Sequence, residues 1–515
     1  LANHYSPRLH NYDRQGQRID EVEFHPAWHG LMQLMISHGV HASPWRSEAG
    51  SAAHVLRAAQ YILLGQLENG AQCPVTMTFA SVAALKLAPK LAAHWLPKIL
   101  SSEYDPASRP IEQKRGAIIG MGMTEKQGGS DVRSNTTRAC AMGEPDQFGQ
   151  RYQIIGHKWF FSAPQADAHL VLAQLEAGLS CFFVPRFLPD GSRNAIVVQR
   201  LKDKLGNRSN ASSEVEFQGA QGWLLGPPGK GIASIMEMGH HTRLDCVLGS
   251  ASIMRAALCH ALHHARGRKA FGRALAEQPL MQNVLADLAL ESEAATVFAM
   301  RLARCFDQAA DPQQAWLARL LTPAGKYWLC KRGPTFGAEA MEVLGGNGYV
   351  EDGPLARLYR EFPVNSIWEG SGNVMCLDLL RALGRQPEIR SALAHELHLA
   401  LPQEAASGHN LPSAAPDTVA LIAKQQTNAS DLHAPYARYI SLLLQDLAQP
   451  LDEFGARALA ERIVLALQAG LLLRHAPPFV AQAFIASRIA RPVSANFGCL
   501  PAGVDASAIL QRALP

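Results

Sequence analysis

The chain has 515 residues, of which 48% are hydrophobic and 18% charged, and its formal net charge is +4. This composition is typical of a folded globular protein of about three to four domains and excludes a disordered chain. The small net charge argues against a strongly electropositive body but leaves room for a local basic patch. No run of about 18 apolar residues occurs and no charged-then-apolar leader follows Leu1, so we expect neither a membrane span nor a signal peptide.

The nine cysteines are scattered, odd in number and without C-x-x-C spacing. Such usage is typical of buried free thiols in a reducing cytoplasm. A metal site is not expected, because H-E-x-x-H is missing and the pair His395 and His398 has the wrong spacing for a zinc helix.

Residues 1–115 predict an irregular arm followed by a helical domain. The first 50 residues are rich in His, Pro and Arg and weakly periodic, with a short helix near 26–40. Apolar residues then recur at three- and four-residue steps, which predicts helices. These helices begin at Ser51, at Val75 and at Leu91.

Residues 116–225 predict an antiparallel β domain. Short runs of β-branched and aromatic residues alternate there with turn residues, a spacing that favours antiparallel strands over βαβ units. No dinucleotide-binding fingerprint occurs, since Gly346-Asn347-Gly348 lacks a preceding strand and a third glycine. The strands are predicted at 152–155, 159–162, 170–173, 181–184, 195–198 and 214–217.

Two helical segments complete the predicted fold, which is mostly α with a central β domain. Residues 226–385 predict a four-helix-type domain, and residues 386–515 an additional helical domain. An Ala/Ser/Pro/Asn-rich stretch at 405–417 predicts a mobile loop. The predicted helices span 232–238, 242–266, 279–306, 316–344, 374–383, 388–401, 436–447, 454–473 and 480–490.

One loop contains the carboxylate that we expect to carry the chemistry. Ile367 and Trp368 lead to Glu369, and two glycines, Gly370 and Gly372, follow it. Glycine tolerates positive φ and lets backbone approach a ligand. A carboxylate reached through apolar residues loses solvation, which favours its neutral form and suits a general base that works near neutral pH. The alternative is a solvated turn, because W-E-G-S-G is a short pattern.

Five motifs in a fixed order identify a resemblance. The helix–strand–helix order joins MTEKQGGSDV at 123–132, GHKWFFS at 156–162, RKAFG at 268–272, GGNGY at 345–349 and WEGSGN at 368–373. Together they resemble the acyl-CoA dehydrogenase superfamily. The extension past Gly384, with Lys126-Gln127 and the run 366–369, resembles the AidB-type alkylation-response flavoproteins. This resemblance implies an acyl-CoA dehydrogenase-like fold of helical bundle, β barrel or sandwich and helical bundle, with a C-terminal helical extension.

The resemblance also implies FAD, which supplies hydride chemistry while the protein positions and tunes it. Met123, Thr124, Gly129 and Ser130 match the first flavin-contacting loop, with a Gly-rich β turn as the alternative. A second group matches the strand beside the flavin ring and consists of Phe160, which stands where the family often has Trp, and of Phe161 and Ser162. The remaining implied cofactor-binding residues are Arg268, Phe271, Gly345, Gly346, Gly370, Ser371 and Asn373.

Arg268 matches an arginine that reaches a diphosphate across a subunit boundary, which implies a homotetramer. The alternative is a surface position, because Arg268 is one of several basic residues between His263 and Arg273.

Glu369 matches the catalytic base of the family. The implied reaction is α,β-dehydrogenation of an acyl-CoA thioester, in which Glu369 takes the α-proton and the β-hydrogen leaves as hydride to the flavin. Some members place the base instead at the position of Thr242, which does not ionise usefully, so Glu369 is the candidate here. Arg243 matches a substrate-side arginine.

Two departures from the family pattern predict weak or narrow activity. An acid that helps to hold the CoA moiety precedes the Thr-Arg pair in the family, and this chain has His240 or His241 there. The bulky Trp368 beside the base narrows the acyl site.

The AidB-type resemblance implies double-stranded DNA as a partner, bound by the extension. From Arg385 onward the chain has ten basic and ten acidic residues, so this segment is neutral, unlike the footprint of a DNA-binding domain. Binding therefore needs asymmetric placement, and Arg381 and Arg385, one helical turn apart, are the candidates. Three interpretations stay open: a dehydrogenase, a DNA-binding protein, and a non-catalytic flavoprotein whose extension serves oligomer packing.

Overall fold

A computed structural model describes residues 1–46, 48–402, 432–491 and 494–514. Its internal contacts divide the chain into two compact units. The sheet unit comprises Leu1–Gly249 with Pro363–Ser371, and the helical unit comprises Ser250–Phe362 with Gly372–Pro515. The four segments predicted from the sequence do not coincide with these two units, and the division into four domains stays a prediction.

The sheet unit begins with a hairpin that the sequence did not predict. Strand Arg8–Tyr12 pairs antiparallel with Arg18–Glu23, inside the arm predicted as irregular. Its turn is local, since the Asp13 carboxylate accepts the N–H groups of Gln15 and Gln17 at 2.9 and 2.8 Å. Four helices follow close to the predicted positions, at Pro26–Ser37, Ala53–Gly65, Gln72–Leu85 and Pro89–Ile99.

A seven-stranded sheet forms the centre of this unit. Most pairings are antiparallel, as predicted, but Ile119–Gly122 pairs in parallel with Ala168–Leu175. Apolar side chains from alternate positions, among them Phe161, Phe182 and Phe217, make the buried core of the sheet. The strands are Ile119–Gly122, Arg138–Asp146, Gly149–Ser162, Ala168–Leu175, Gly178–Pro185, Ile196–Leu201 and Ser212–Leu225.

Strand Gly149–Ser162 replaces the two strands predicted at 152–155 and 159–162. Gly156, a turn-type residue between the two predicted strands, indicated a break there. It has φ +148°, and a Cβ at this position would lie 2.5 Å from Thr137 Oγ1. Glycine therefore lets the strand continue past Thr137 instead of ending it.

The helix Gly231–Gly267 starts in the sheet unit and contains the division between the units at Gly249. The two helices predicted at 232–238 and 242–266 are one, since a helix interior tolerates an isolated glycine such as Gly239.

The helical unit continues with a two-residue-per-strand hairpin, Lys269–Ala270 with Arg273–Ala274. The predicted loop at 405–417 lies outside the described residues. The described helices are Pro279–Asp307, Pro312–Val343, Gly346–Tyr349, Pro354–Asn365, Gly372–Arg385, Pro387–His398, His433–Ala448, Ala456–His475, Pro478–Phe484 and Ala506–Ala513, with a π-helical turn at Ile485–Ile489.

None of the described helices combines the length and apolar character that crossing a membrane requires. All nine cysteines are free, as predicted. The expected burial is wrong for Cys140 and Cys499, which are exposed. Cys140 lies on the solvent side of strand Arg138–Asp146, in which exposed positions dominate.

Candidate active site

The loop that follows helix Pro354–Asn365 holds Glu369 in an unusual backbone conformation. Glu369 has φ +58° and Gly370 has φ +105°. The left-handed region is uncommon for a residue with a side chain, so this backbone is held by its surroundings. The indole N–H of the neighbouring Trp368 is buried and has no acceptor among the described residues.

Two consecutive side chains of helix Gly231–Gly267 hold this loop. Thr242 Oγ1 donates to Glu369 Oε2 at 2.6 Å. Arg243 Nε donates to the backbone carbonyl of Glu369 at 2.9 Å. Thr242 is 1% and Arg243 7% exposed. Because its carboxylate is bonded to a buried hydroxyl, Glu369 is not part of a freely solvated turn.

The next turn of the same helix is anchored by a buried ion pair. Arg57 donates to both carboxylate oxygens of Asp245 at 2.7 Å each, and both side chains are 1% exposed. Thr76 donates to Asp245 as well, at 2.7 Å. The Arg57 guanidinium lies 3.5 Å from the centroid of the Phe79 ring. These contacts fix the helix that carries Thr242.

His241, one of the two histidines found in place of the family acid, belongs to an aromatic cluster. Its ring lies edge-on to Trp45 and Phe79, with centroids 5.0 and 5.2 Å away, and stacks on His54 at 5.9 Å. Burial lowers the pKa of His241 well below its usual value and that of His54 to about 3. Both rings are therefore neutral at physiological pH.

A buried thiol connects Glu369 with the sheet. Burial raises the pKa of Cys73 to about 12. The charge of Lys204 and a hydrogen bond with Ser162 act to lower this pKa, whereas the charge of Glu369 acts to raise it. Ser162 is thus a hydrogen-bond partner of Cys73, and the charge of Glu369 is near enough to act on the same thiol. The structure brings together two predicted site residues that are far apart in the sequence.

The first predicted flavin loop lies against strand Gly149–Ser162. The Trp159 N–H donates to the Thr124 carbonyl at 2.9 Å, and Asn135 Nδ2 donates to the Met123 carbonyl at 2.9 Å. A Cβ at Gly129 would lie 2.5 Å from Thr124 Oγ1, so this position requires glycine. Gly129 and the following serine, Ser130, are exposed.

A buried ion pair that the sequence analysis missed fixes this loop. Lys158 Nζ lies 2.7 Å from Glu125 Oε1, and both side chains are 0% exposed. The backbone N–H groups of Thr136 and Thr137 also donate to Glu125, at 2.7 and 3.1 Å. Burial would raise the pKa of Glu125, but Lys158 and these donors outweigh it and lower the pKa well below its usual range.

Burial also lowers the pKa of Lys158 to about 8, against the opposing charge of Glu125. The pair is therefore ionised at neutral pH. Both residues belong to motifs used for the resemblance. The signal that could have revealed the pair is Lys158, a charged residue directly before the three aromatic residues of a predicted strand.

The three residues predicted beside the flavin ring point in different directions. Phe160 is 53% exposed, whereas Phe161 is fully buried and stacks on His169 at 4.0 Å. The side chain of Phe161 therefore belongs to the core of the sheet, and the position of its strand beside a flavin ring stays a prediction. Ser162 is half-buried, with its Oγ 3.2 Å from Ser212 Oγ.

The other predicted cofactor residues, except Gly370 and Ser371, belong to the helical unit, and their cofactor contacts stay predictions. Phe271 is 96% exposed at φ +51° in the short hairpin, and Arg268 is exposed beside it. Asn373 Oδ1 accepts hydrogen bonds from Arg457 at 2.9 and 2.6 Å. Gly345 and Gly346 are exposed as well, and so are Arg381 and Arg385, the residues predicted to contact DNA.

Family models match three consecutive parts of the chain. Residues 1–106 match the adaptive response protein AidB N-terminal domain, residues 120–220 the acyl-CoA dehydrogenase middle domain, and residues 229–384 the acyl-CoA dehydrogenase C-terminal domain. The chain belongs to the acyl-CoA dehydrogenase family, and within it to the AidB type.

The AidB assignment is carried by a relative of similar length. The chain is 50% identical over 485 residues to AidB of Escherichia coli strain K12, which bears the name of an acyl-CoA dehydrogenase; the match covers 94% of this chain and 83% of that protein. Acyl-CoA dehydrogenase family member 11 of Caenorhabditis elegans is 29% identical over 398 residues, covering 74% of this chain and 63% of that protein.

Two solved structures have the same fold. The protein Bd2924 in its apo form has a TM-score of 0.78 at 28% identity, covering 92% of this chain and 88% of that one. Caenorhabditis elegans ACDH-11, solved with C11-CoA, has a TM-score of 0.82 at 24% identity, covering 96% and 84%. These likenesses confirm the predicted fold class.

FAD is the cofactor of this family, and the sheet unit has residues that fit it. Phe160 presents an exposed aromatic ring on a strand, where a flat ring system would cover it. Thr124 and Ser130 lie in the first predicted flavin loop, and Ser162 lies at the end of the strand that carries Phe160. Their hydroxyls suit the polar edge of such a ring. A hydrogen-bonded loop with an obligatory glycine, Gly129, lets backbone approach the group closely.

Proposed function

We propose that the protein catalyses α,β-dehydrogenation of an acyl-CoA thioester, with Glu369 as the base. The observation that carries this proposal is the carboxylate of Glu369, held at 2.6 Å by Thr242 on a loop fixed by Arg243. Bound FAD supplies the oxidant, since flavin accepts the hydride that leaves the β-carbon. The relative solved with C11-CoA supports a fatty acyl-CoA as the substrate class.

In this reaction Glu369 takes the proton from the α-carbon, and the carbon–carbon double bond forms as the β-hydrogen departs with its electron pair. Arg243 secures the backbone of Glu369 on the substrate side. Trp368 limits the space beside the carboxylate. One of two histidines, His240 or His241, stands where the family has an acid for the CoA moiety, and the neutral ring of His241 supports weak or narrow activity.

Glu369→Gln tests the proposal. We expect it to lower the rate at which acyl-CoAs bleach the flavin absorbance by at least about 100-fold, because a general base contributes 10²–10⁴-fold. Glu237→Gln is the matched control, since Glu237 is an exposed glutamate on the helix that carries Thr242. Equal bleaching in the two variants, across a panel of chain lengths, would overturn Glu369 as the base and leave a non-catalytic flavoprotein.

A second function, binding of double-stranded DNA in the response to alkylation damage, is supported by one surface. Arg381 and Arg385 are exposed, one turn apart on helix Gly372–Arg385, and form no ion pair with any described residue. Two free guanidinium groups on one face suit neighbouring phosphates. A cytoplasmic homotetramer, which is part of the same proposal, would repeat this face four times.

A gel shift over a salt series, with mass measured by light scattering, tests this second function. We expect Arg381→Ala/Arg385→Ala to weaken duplex binding and flatten its salt dependence, because fewer counterions are released. Arg8→Ala/Arg14→Ala, two exposed arginines of the N-terminal hairpin, is the control. Binding by the Arg381/Arg385 variant that matches the control would discard this surface, and a monomeric mass would discard the tetramer.

A further inference from the structure

The hydroxyl of Thr242 lies within hydrogen-bond reach of two acceptors. One is Glu369 Oε2 at 2.6 Å, and the other is the backbone carbonyl of Gly239, one helical turn earlier, at 3.1 Å. A hydroxyl has one proton and two lone pairs, so Thr242 donates to one of these groups at a time. The side chain is 1% exposed, which leaves little room for water to take over either role.

We propose that Thr242 is the positioning residue of the base and holds the Glu369 carboxyl group in both of its protonation states. This inference rests on the proposed role of Glu369.

While Glu369 is ionised, the Thr242 proton points to it, which agrees with the shorter of the two distances. A hydrogen bond to a charged acceptor is shorter and about twice as strong as a neutral one. This bond stabilises the carboxylate and points Oε2 in a fixed direction.

After Glu369 has taken a proton, the direction of the bond reverses. The new carboxylic acid donates to Thr242 Oγ1, and the Thr242 proton turns to the carbonyl of Gly239. Neither state leaves a buried polar group without a partner, which would cost about 1–3 kcal/mol. A side chain that only donates or only accepts cannot do this.

The surroundings keep both partners in place. Arg243 holds the backbone carbonyl of Glu369, and the Arg57–Asp245 ion pair anchors the helix one turn beyond Thr242. Among the described residues, the titratable or charged side chains near the carboxylate include Arg243 on the long helix and the thiol of Cys73 on helix Gln72–Leu85. The charges of Glu369 and Lys204 both act on that thiol, in opposite directions. On the same helix, the preceding residue, His241, is neutral.

The test compares Thr242→Val, which keeps the shape but removes the hydroxyl, with Thr242→Ser, which keeps the hydroxyl. The flavin-loaded protein is titrated without substrate, and infrared difference spectra follow the carbonyl band of the protonated carboxylic acid, with Glu369→Gln as the blank. We expect Thr242→Val to raise the midpoint of the Glu369 titration by about one pH unit, since a donor to a charged group is lost. Thr242→Ser should stay within about 0.3 unit of the unchanged protein.

The pH profile of flavin bleaching gives a second readout that a purely structural role would not produce. Thr242→Val shifts the midpoint upward. At pH values below that midpoint, its bleaching rate should therefore be about tenfold lower than that of the unchanged protein, and the difference should disappear as the pH rises. Thr242→Ser should follow the unchanged protein.

A midpoint in Thr242→Val equal to that of the unchanged protein would overturn the inference. Thr242→Ala serves as a second hydroxyl-free variant if Thr242→Val does not fold. Failure of the proposed function looks different: no acyl-CoA bleaches the flavin of the unchanged protein, while the substrate-free titration still responds to the hydroxyl.

Discussion

The sheet unit and the helical unit both bury charged side chains, but they use them differently. In the sheet unit, Glu125–Lys158 and Arg57–Asp245 are separate pairs, and each fixes a segment that carries predicted site residues. In the helical unit, the charges form networks between helices distant in sequence. Glu396 there accepts from Arg301 at 2.6 Å and from Arg474 at 3.2 Å.

A second network in the helical unit is centred on Arg488, in the π-helical turn. It lies 2.5 Å from Asp287 and 3.2 Å from Glu291, both on helix Pro279–Asp307. Glu291 is also contacted by Arg332, at 3.3 Å. The C-terminal extension thus contributes to the core of the helical unit, while the two pairs of the sheet unit fix one loop and one helix that carry predicted site residues. Four substitutions, from the largest expected effect to the smallest, break or sharpen this contrast.

Arg488→Met should destabilise the helical unit by about 5 kcal/mol, because it leaves Asp287 buried without its cation and Glu291 paired with Arg332 alone. Arg512→Met is the matched control: its partner, Glu293, lies at the surface, and an exposed pair contributes about 0–1 kcal/mol. Thermal unfolding with hydrogen exchange locates the loss. Equal effects of both substitutions would contradict a core role for the extension.

Lys158→Met should cost about 3 kcal/mol and reduce the flavin retained per chain, because the unpaired Glu125 carboxylate destabilises the loop at Thr124. Flavin absorbance relative to protein measures the retention. The double variant Glu125→Gln/Lys158→Met removes the uncompensated charge and should recover part of the stability. Full flavin retention in Lys158→Met would show that this ion pair does not stabilise the cofactor loop.

Gly156→Ala should cost about 2 kcal/mol, through a contact of 2.5 Å with Thr137 as well as an unfavourable φ. Gly149→Ala is the control in the same strand, since Gly149 has φ +123° but open space around its Cα. The difference between their unfolding midpoints isolates the contact from the backbone strain. Equal unfolding midpoints for the two variants would show that the strand near Thr137 moves to make room for the added methyl group.

The smallest effect is a pH dependence. The pKa of folded Glu125 is below its unfolded value of 4.5, so the stability it contributes is complete above that value and is lost as the pH falls through the folded pKa. The difference in stability between the unchanged protein and Glu125→Gln is to be measured at about pH 5 and below, well under the Lys158 pKa of about 8. Below pH 4.5 it should shrink by about 1 kcal/mol per pH unit. If this difference in stability stays constant down to pH 4, Glu125 stabilises the protein through packing and not through its charge.

The sequence predicted most helices because their apolar periodicity is local. It indicated Glu369 as the candidate base because the motif around that residue is local too. It gave wrong boundaries where a long-range contact decides. Gly156 indicated a break because its fit against Thr137 depends on a neighbouring strand. The hairpin at Arg8–Tyr12 was missed because its alternation is weak.

Three site features depended on side-chain direction, which a linear pattern does not contain. Phe161 was grouped with Phe160 and Ser162 by motif, yet the pleat turns its ring into the core. Thr242 was considered only for its inability to ionise, and its hydrogen bond to Glu369 joins residues 127 positions apart. Glu125 and Lys158 are 33 positions apart, and nothing near either one indicates the other.

The buried networks determine how the extension can be studied. A shortened chain ending after Arg385 would leave Asp287 and Arg301 in the interior without their counter-charges and Glu291 with Arg332 alone, beside a newly exposed apolar surface. Such a truncation would test solubility rather than DNA binding or turnover. Substitutions confined to exposed arginines preserve the interior and are the informative way to examine this segment.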